Sequence, residues 1–168
     1  GIVDRRKFLT SAGASAGLLP FTGATAADSS APRIRATSVL GRTGIKIADI
    51  SFGSSRLRTG QEHLVEHALA RGVNYFDTAD SYTGGQSETV IGNVLKSRRQ
   101  DVYVVSKTKV WADDSHPDIM RALEGSLRRL QTDYVDVYFN HAVNDTDRLD
   151  NPEWFEFAER AREQGKIR

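Results

Sequence analysis

Four side chains of complementary chemistry lie at or soon after the ends of short apolar runs in this 168-residue chain. Asp77 follows Val73-Asn74-Tyr75-Phe76, and Tyr82 comes five residues later. Lys107 follows Val102-Tyr103-Val104-Val105 and Ser106, and His141 follows the run Tyr134 to Phe139 and Asn140. If the runs are neighbouring strands, a carboxylate, a phenol, an ammonium and an imidazole meet at one mouth. That set suits the addition of hydride to a carbonyl, whose oxygen then needs a proton from a group held close to it. A tyrosine with an ordinary pKa of about 10 is a poor acid near neutrality. A neighbouring ammonium stabilises the phenolate and makes the acid usable. Asp77 would hold the lysine charged and in place, and His141 would hydrogen-bond the carbonyl oxygen or share the proton with Tyr82. Lys109 has the same strand parity as Lys107, so alternation alone does not choose between them. Taken singly, each residue has a plainer role: Asp-Thr is common in turns, and a lone tyrosine or histidine is usually structural. His63, His67 and His116 fall on helices or at a cap and read as solvated.

The elements that would position these groups alternate from Thr37 onward. Thr37–Leu40 and Ile45–Ile47 flank the turn Gly41-Arg42-Thr43-Gly44 and read as a hairpin. Ile50–Gly53 is a first strand, followed by a helix over Gln61–Arg71 with Leu64, Ala68 and Leu69 on one face and Gly72 at its end. The run Val73–Phe76 is a second strand, and Ser87–Lys96 is helical, with Val90, Ile91, Val94 and Leu95 at helical spacing. After the third strand at Val102–Val105, Ser115 can cap a helix over Pro117–Leu130, whose stripe is Ile119, Leu123, Leu127 and Leu130. A fourth strand at Tyr134–Phe139 precedes a helix opened by Asn151-Pro152-Glu153, carrying Trp154, Phe157 and Ala161. Lys166-Ile167-Arg168 would start a fifth strand. Strands this apolar, alternating with helices, imply a parallel α/β sheet covered on its faces. An open dinucleotide-binding sheet wants G-x-G-x-x-G straight after its first strand, and the segment Gly53 to Gly60 does not match. The alternative is a (β/α)8 barrel, of which this chain supplies roughly the first four β/α units.

Phe76-Asp77-Thr78-Ala79-Asp80-Ser81-Tyr82, with Gly85-Gln86-Ser87-Glu88 and Ile91-Gly92, resembles the aldo-keto reductase signature around its catalytic Asp and Tyr. Ser126-Leu127-Arg128-Arg129-Leu130, Asp133 to Tyr138 and then His141 resemble the second signature, and Gly165 to Arg168 resembles the start of the next strand. The resemblance runs from Val39 to the end. It implies Tyr82 as general acid, Lys107 as the modulator of its acidity, Asp77 as the lysine's partner and His141 as the residue that orients substrate. It favours Lys107 over Lys109, implies NADPH (less often NADH) without a metal, and places Gly53 and Ser54 beside the cofactor. The implied substrate is a small-molecule carbonyl. Two loops depart from the family pattern, Ser54-Ser55-Arg56-Leu57 and Ala142-Val143-Asn144-Asp145, so substrate specificity is left open. Trp111 either lines the substrate pocket or packs on the rim. The rival from another class is a non-catalytic relative that senses nucleotide as a regulatory subunit. A barrel hydrolase or lyase would need paired carboxylates or a metal cluster at the mouth.

Lys+Arg 23 against Asp+Glu 22 leaves a net charge of +1, which offers no strong basic face for nucleic acid. Cysteine is absent, so disulfides and thiolate chemistry are excluded. Residues 1–26 read as a separate segment: Asp4-Arg5-Arg6-Lys7-Phe8-Leu9 precedes a mildly apolar stretch ending in Ala24-Thr25-Ala26. This resembles a twin-arginine export signal with its cleavage site, and implies a periplasmic or otherwise exported bacterial protein. The stretch is too short and polar for a stable membrane anchor. Residues 27–36 read as a linker and 37–168 as the N-terminal half of a barrel. Gly1 is not preceded by Met, and the chain stops just past Gly165, so a truncated sequence is expected, inactive by itself. Nothing in these residues fixes an oligomeric state.

Overall fold

A computed structural model describes residues 31–168, and the candidate export signal lies outside the described residues. Pro32–Arg168 form one compact unit. The unit opens on an antiparallel hairpin, β1 (Thr37–Val39) and β2 (Lys46–Ala48), with Ser38 opposite Ile47. Beyond it, four parallel strands lie side by side in chain order: β3 (Phe52–Gly53), β4 (Tyr75–Asp77), β5 (Tyr103–Thr108) and β6 (Val137–Asn140). Helices α1 (Glu62–Ala70), α2 (Gln86–Leu95) and α3 (His116–Leu130) connect them, and α4 (Pro152–Glu163) follows β6. Val135 also makes a parallel bridge to Ile167, where the sequence pattern starts a fifth strand. Among the described residues, no helix is long and apolar enough to cross a membrane.

The periodicities explain what each helix buries. Ser115 caps α3 by accepting from the Asp118 N–H, and Ile119, Leu123, Leu127 and Leu130 all point into the core. The side chains of Val90, Ile91 and Leu95 on α2 are buried too, and Phe157 and Ala161 do the same on α4. Helices α2 and α3 approach closely at Gly92, where a Cβ would lie 2.6 Å from the carbonyl oxygens of Arg129 and Leu130. No larger residue fits there without parting the helices.

Three expectations need correction. Residues 32–36 are not all linker: the Ile34 N–H donates to the Arg71 carbonyl at 2.8 Å, and its side chain packs on the core. Ile34 is an apolar residue between two arginines, and burial claims it. Helix α1 buries Val65 rather than Leu64, which faces a cavity of about 540 Å³ shared with Phe52, Gly53 and Leu57. That cavity lies beside β3, the edge strand, where no neighbouring element among the described residues covers the helix flank. The third strand is longer than its apolar run, because Ser106, Lys107 and Thr108 continue the ladder opposite Tyr138, Phe139 and Asn140.

Candidate active site

Asp77 is the last residue of β4, and Lys107 lies one position short of the end of β5. Parallel pairing sets Asp77 beside Val105, so Lys107, two residues further along the same face, reaches back to it. The ammonium lies 2.6 Å from Asp77 Oδ1 and donates at 2.7 Å to the Thr78 carbonyl. The same nitrogen lies 4.9 Å from the centre of the Tyr82 ring. His141, just past β6, meets that ring edge-on, at 5.5 Å between centroids and 80° between planes. Its Nδ1 is buried and has no hydrogen-bond partner among the described residues. The four residues singled out in the sequence are thus brought together, whereas Lys109 is exposed.

The loop that carries Tyr82 is held by side chains rather than by regular structure. Thr83, Gly84 and Gly85 are all left-handed, with φ of 50°, 66° and 89°, and they turn the chain sharply after Tyr82. Thr83 tolerates this strained backbone because its hydroxyl donates to the Leu57 carbonyl and accepts the Ser87 N–H. At Gly85 a Cβ would come within 2.9 Å of Arg129 Cδ, so the arginine arm lies directly on the turn. That arginine pairs at 2.7 Å with Glu88, a fully buried carboxylate whose other oxygen accepts the Ser106 hydroxyl at 2.5 Å. Ser106 adjoins Lys107, so the brace ties the Tyr82 loop to the lysine strand. Ser54, expected beside the cofactor, spends its hydroxyl internally on the Asp77 carbonyl and Ser87. Gly53 is exposed, and an added Cβ there would meet nothing within 4 Å.

Residues 49–168 match the Aldo/keto reductase family. The chain belongs to that family. Among relatives it is 32% identical over 141 residues to the uncharacterized oxidoreductase YqkF of Bacillus subtilis, covering 77% of this chain and 45% of that protein. Among solved structures it resembles the holo form of aldo-keto reductase AKR11C1 from Bacillus halodurans, at 31% identity and TM-score 0.65, over 78% of this chain and 47% of that one. It also resembles an aldo-keto reductase from Klebsiella pneumoniae crystallised in complex with NADPH, at 32% identity and TM-score 0.61, over 74% and 44%. The chain therefore spans about half the length of these relatives. Its four β/α units are those of a (β/α)8 barrel, of which it covers roughly the first half.

Within this aldo/keto reductase chain, the electrostatics of His141 follow from its neighbours. Burial pushes the imidazole below the usual histidine value of 6.5, the Lys107 ammonium pushes the same way, and Asp80 opposes both. The folded chain thus binds this proton less readily than the unfolded chain. The associated stability is complete above about pH 6.5 and is lost as pH falls toward the lower folded value. Lys107→Met removes one downward push and leaves the Asp77 charge uncompensated, so both changes raise the value. The His141 ring protons, followed by NMR, are expected to titrate at higher pH in that variant; a fall would contradict the arrangement described.

Several charged residues of the aldo/keto reductase chain escaped sequence reasoning. Glu88, Asp136 and Arg148 are buried, Glu88 and Arg148 in stretches rich in polar residues and Asp136 inside the apolar run Tyr134 to Phe139. Glu88 lies within the motif Gly85-Gln86-Ser87-Glu88, and that position was its only signal. Asp80 accepts the Thr108 hydroxyl at 2.5 Å and so ties the Tyr82 loop to the end of β5. His116 is not simply solvated: its Nδ1 lies 2.7 Å from Glu153, whose same oxygen accepts the His116 N–H. Trp111 is half exposed, with the Arg148 guanidinium 4.5 Å from its ring centre.

Proposed function

We propose that this chain carries the catalytic residues of a reductase that converts aldehydes or ketones to alcohols, with Tyr82 as the general acid. The observation that supports it is the shared ammonium: Lys107 is 2.6 Å from the Asp77 carboxylate and 4.9 Å from the Tyr82 ring centre, with His141 packed edge-on against the same ring. NADPH, or NADH in its place, would supply the hydride when bound. The residues present fit such a cofactor: open space over Gly53 lets a flat ligand reach the strand ends, where the acid stands. The complex of the similar Klebsiella pneumoniae aldo-keto reductase with NADPH supports the same assignment.

In this mechanism Tyr82 gives its proton to the carbonyl oxygen as negative charge grows there. The Lys107 charge stabilises the phenolate left behind, and Asp77 keeps that charge directed at the ring. His141, kept neutral by burial, offers a hydrogen bond from the ring to the same oxygen and so orients the substrate. The test is NADPH oxidation by the full-length product over a broad panel of aldehydes and ketones. Turnover of several carbonyls is expected, and none at all across the panel would sink the reading in favour of a non-catalytic nucleotide-binding relative. In the same assay the 168-residue polypeptide alone is expected to be inactive, because the four parallel strands among the described residues, out of a barrel's eight, leave sheet edges unpaired there.

The pattern Arg5-Arg6-Lys7-Phe8-Leu9 supports export of the folded protein by the twin-arginine route to the periplasm. Replacing both arginines, Arg5→Lys with Arg6→Lys, is expected to keep the protein in the cytoplasmic fraction. An unchanged periplasmic share would remove the assignment.

A further inference from the structure

Arg148 is a buried cation, only 3% exposed, that pairs with no carboxylate among the described residues. A guanidinium removed from water is costly unless its N–H groups find acceptors. Here all the acceptors are neutral. Its Nε donates to the Val110 carbonyl at 2.7 Å, one terminal nitrogen to the Ala142 carbonyl at 2.8 Å, and the other to Asn140 Oδ1 and the His141 carbonyl, both at 2.9 Å. Asn140 closes the ring: its Oδ1 also accepts the Val110 N–H at 3.1 Å, and its amide donates to the Arg148 carbonyl at 3.3 Å.

The placement of those acceptors is what matters. Two of them belong to His141 and the residue after it, and Ala142 sits at φ 51°, a left-handed conformation that a residue with a Cβ seldom adopts. The other side of the His141 peptide is fixed too, since its N–H donates to the Thr108 carbonyl at 2.8 Å. The chain leaving β6 is thereby held in a turn it would not take by itself, and the turn aims the imidazole at Tyr82. We infer that Arg148 is a positioning residue for His141, holding the strained His141–Ala142 turn through its backbone carbonyls without touching the reacting atoms. A lysine cannot replace it, because a compact ammonium lacks the planar fork that spans four separated acceptors.

The inference rests on the reductase reading for its kinetic consequence but not for its structural one, and the experiment separates them. Full-length Arg148→Lys and Arg148→Met are compared with the parent in two ways. The first is NADPH binding alongside kcat/KM for the reduction of a carbonyl substrate. The second is the titration of the His141 ring by NMR, which needs no activity. The expected result is unchanged NADPH binding, kcat/KM lower by on the order of 10²-fold, and a His141 that titrates nearer the ordinary histidine value as it leaves its buried place. Folded variants whose His141 titrates as in the parent would overturn the inference. So would failure of both variants to fold, which would assign Arg148 to stability alone. If the parent itself reduces no carbonyl, the reductase reading fails, and the NMR comparison still decides the role of Arg148.

Discussion

Tyr82→Phe is expected to lower kcat by roughly 10²–10⁴-fold while leaving NADPH binding unchanged, since that is the usual share of a positioned proton donor. The substitution removes only the hydroxyl. The ring that packs against His141 and under the Lys107 ammonium stays, so the surrounding geometry has no reason to shift. Stability should therefore hold, and the loss should appear in turnover rather than in cofactor affinity, as expected for an interaction made in the transition state. The comparison with His141 refines the result. If the imidazole shares the proton, Tyr82→Phe falls at the mild end of the range, and a second change at His141 removes what remains. Steady-state kinetics with one good carbonyl substrate settle the matter. A loss smaller than about tenfold, worth only about 1.4 kcal/mol of barrier, would mean that another group supplies the proton.

How much of this arrangement could be read from the sequence depends on how local its causes are. Asp77, Lys107 and His141 were visible because each follows an apolar run, and parallel pairing in chain order puts neighbouring strand ends together. Tyr82 was visible only by its spacing from Asp77, since a loop residue has no periodicity to place it. The stripe of α3 was legible for the same local reason, at Ile119, Leu123, Leu127 and Leu130. The supports of the site were not legible. Glu88 meets Arg129 across 41 positions and Arg148 meets Val110 across 38, so no pattern within a helix or strand announces either contact. A charged residue read in isolation is assigned to the surface, because burial without a partner is costly, and the partner appears only once the chain is folded. Leu64 fails in the opposite sense: its spacing fits a buried face, but α1 flanks the edge strand and leaves that face open.

The same long-range pairing yields the largest expected effect on stability, at the other end of the sheet. Asp136 lies on the approach to β6 with its carboxylate fully buried. One oxygen accepts from Arg99 at 2.7 Å and from the Val104 N–H at 2.9 Å, and the other accepts from the more exposed Arg168 at 3.2 Å. Both guanidinium groups also lie 4.0 Å from the centre of the Tyr134 ring. Asp136→Leu would leave the nearly buried Arg99 without its counter-charge and the Val104 N–H without its acceptor. Breaking a buried pair in this way costs about 3–5 kcal/mol, a large part of the roughly 5–15 kcal/mol that holds a domain folded. The exposed pair Arg98–Asp101 is the control, because both its side chains are more than half in water. Asp101→Ala is expected to cost no more than about 1 kcal/mol. Urea denaturation of the full-length variants measures both, and a third variant isolates the cause. Pairing Asp136→Leu with Arg99→Met removes the stranded charge, so most of the loss should return, apart from about 1–3 kcal/mol for the orphaned Val104 N–H. If the double variant were no more stable than Asp136→Leu alone, the charge on Arg99 would not be the source of the loss, and the packing around Tyr134 would have to account for it.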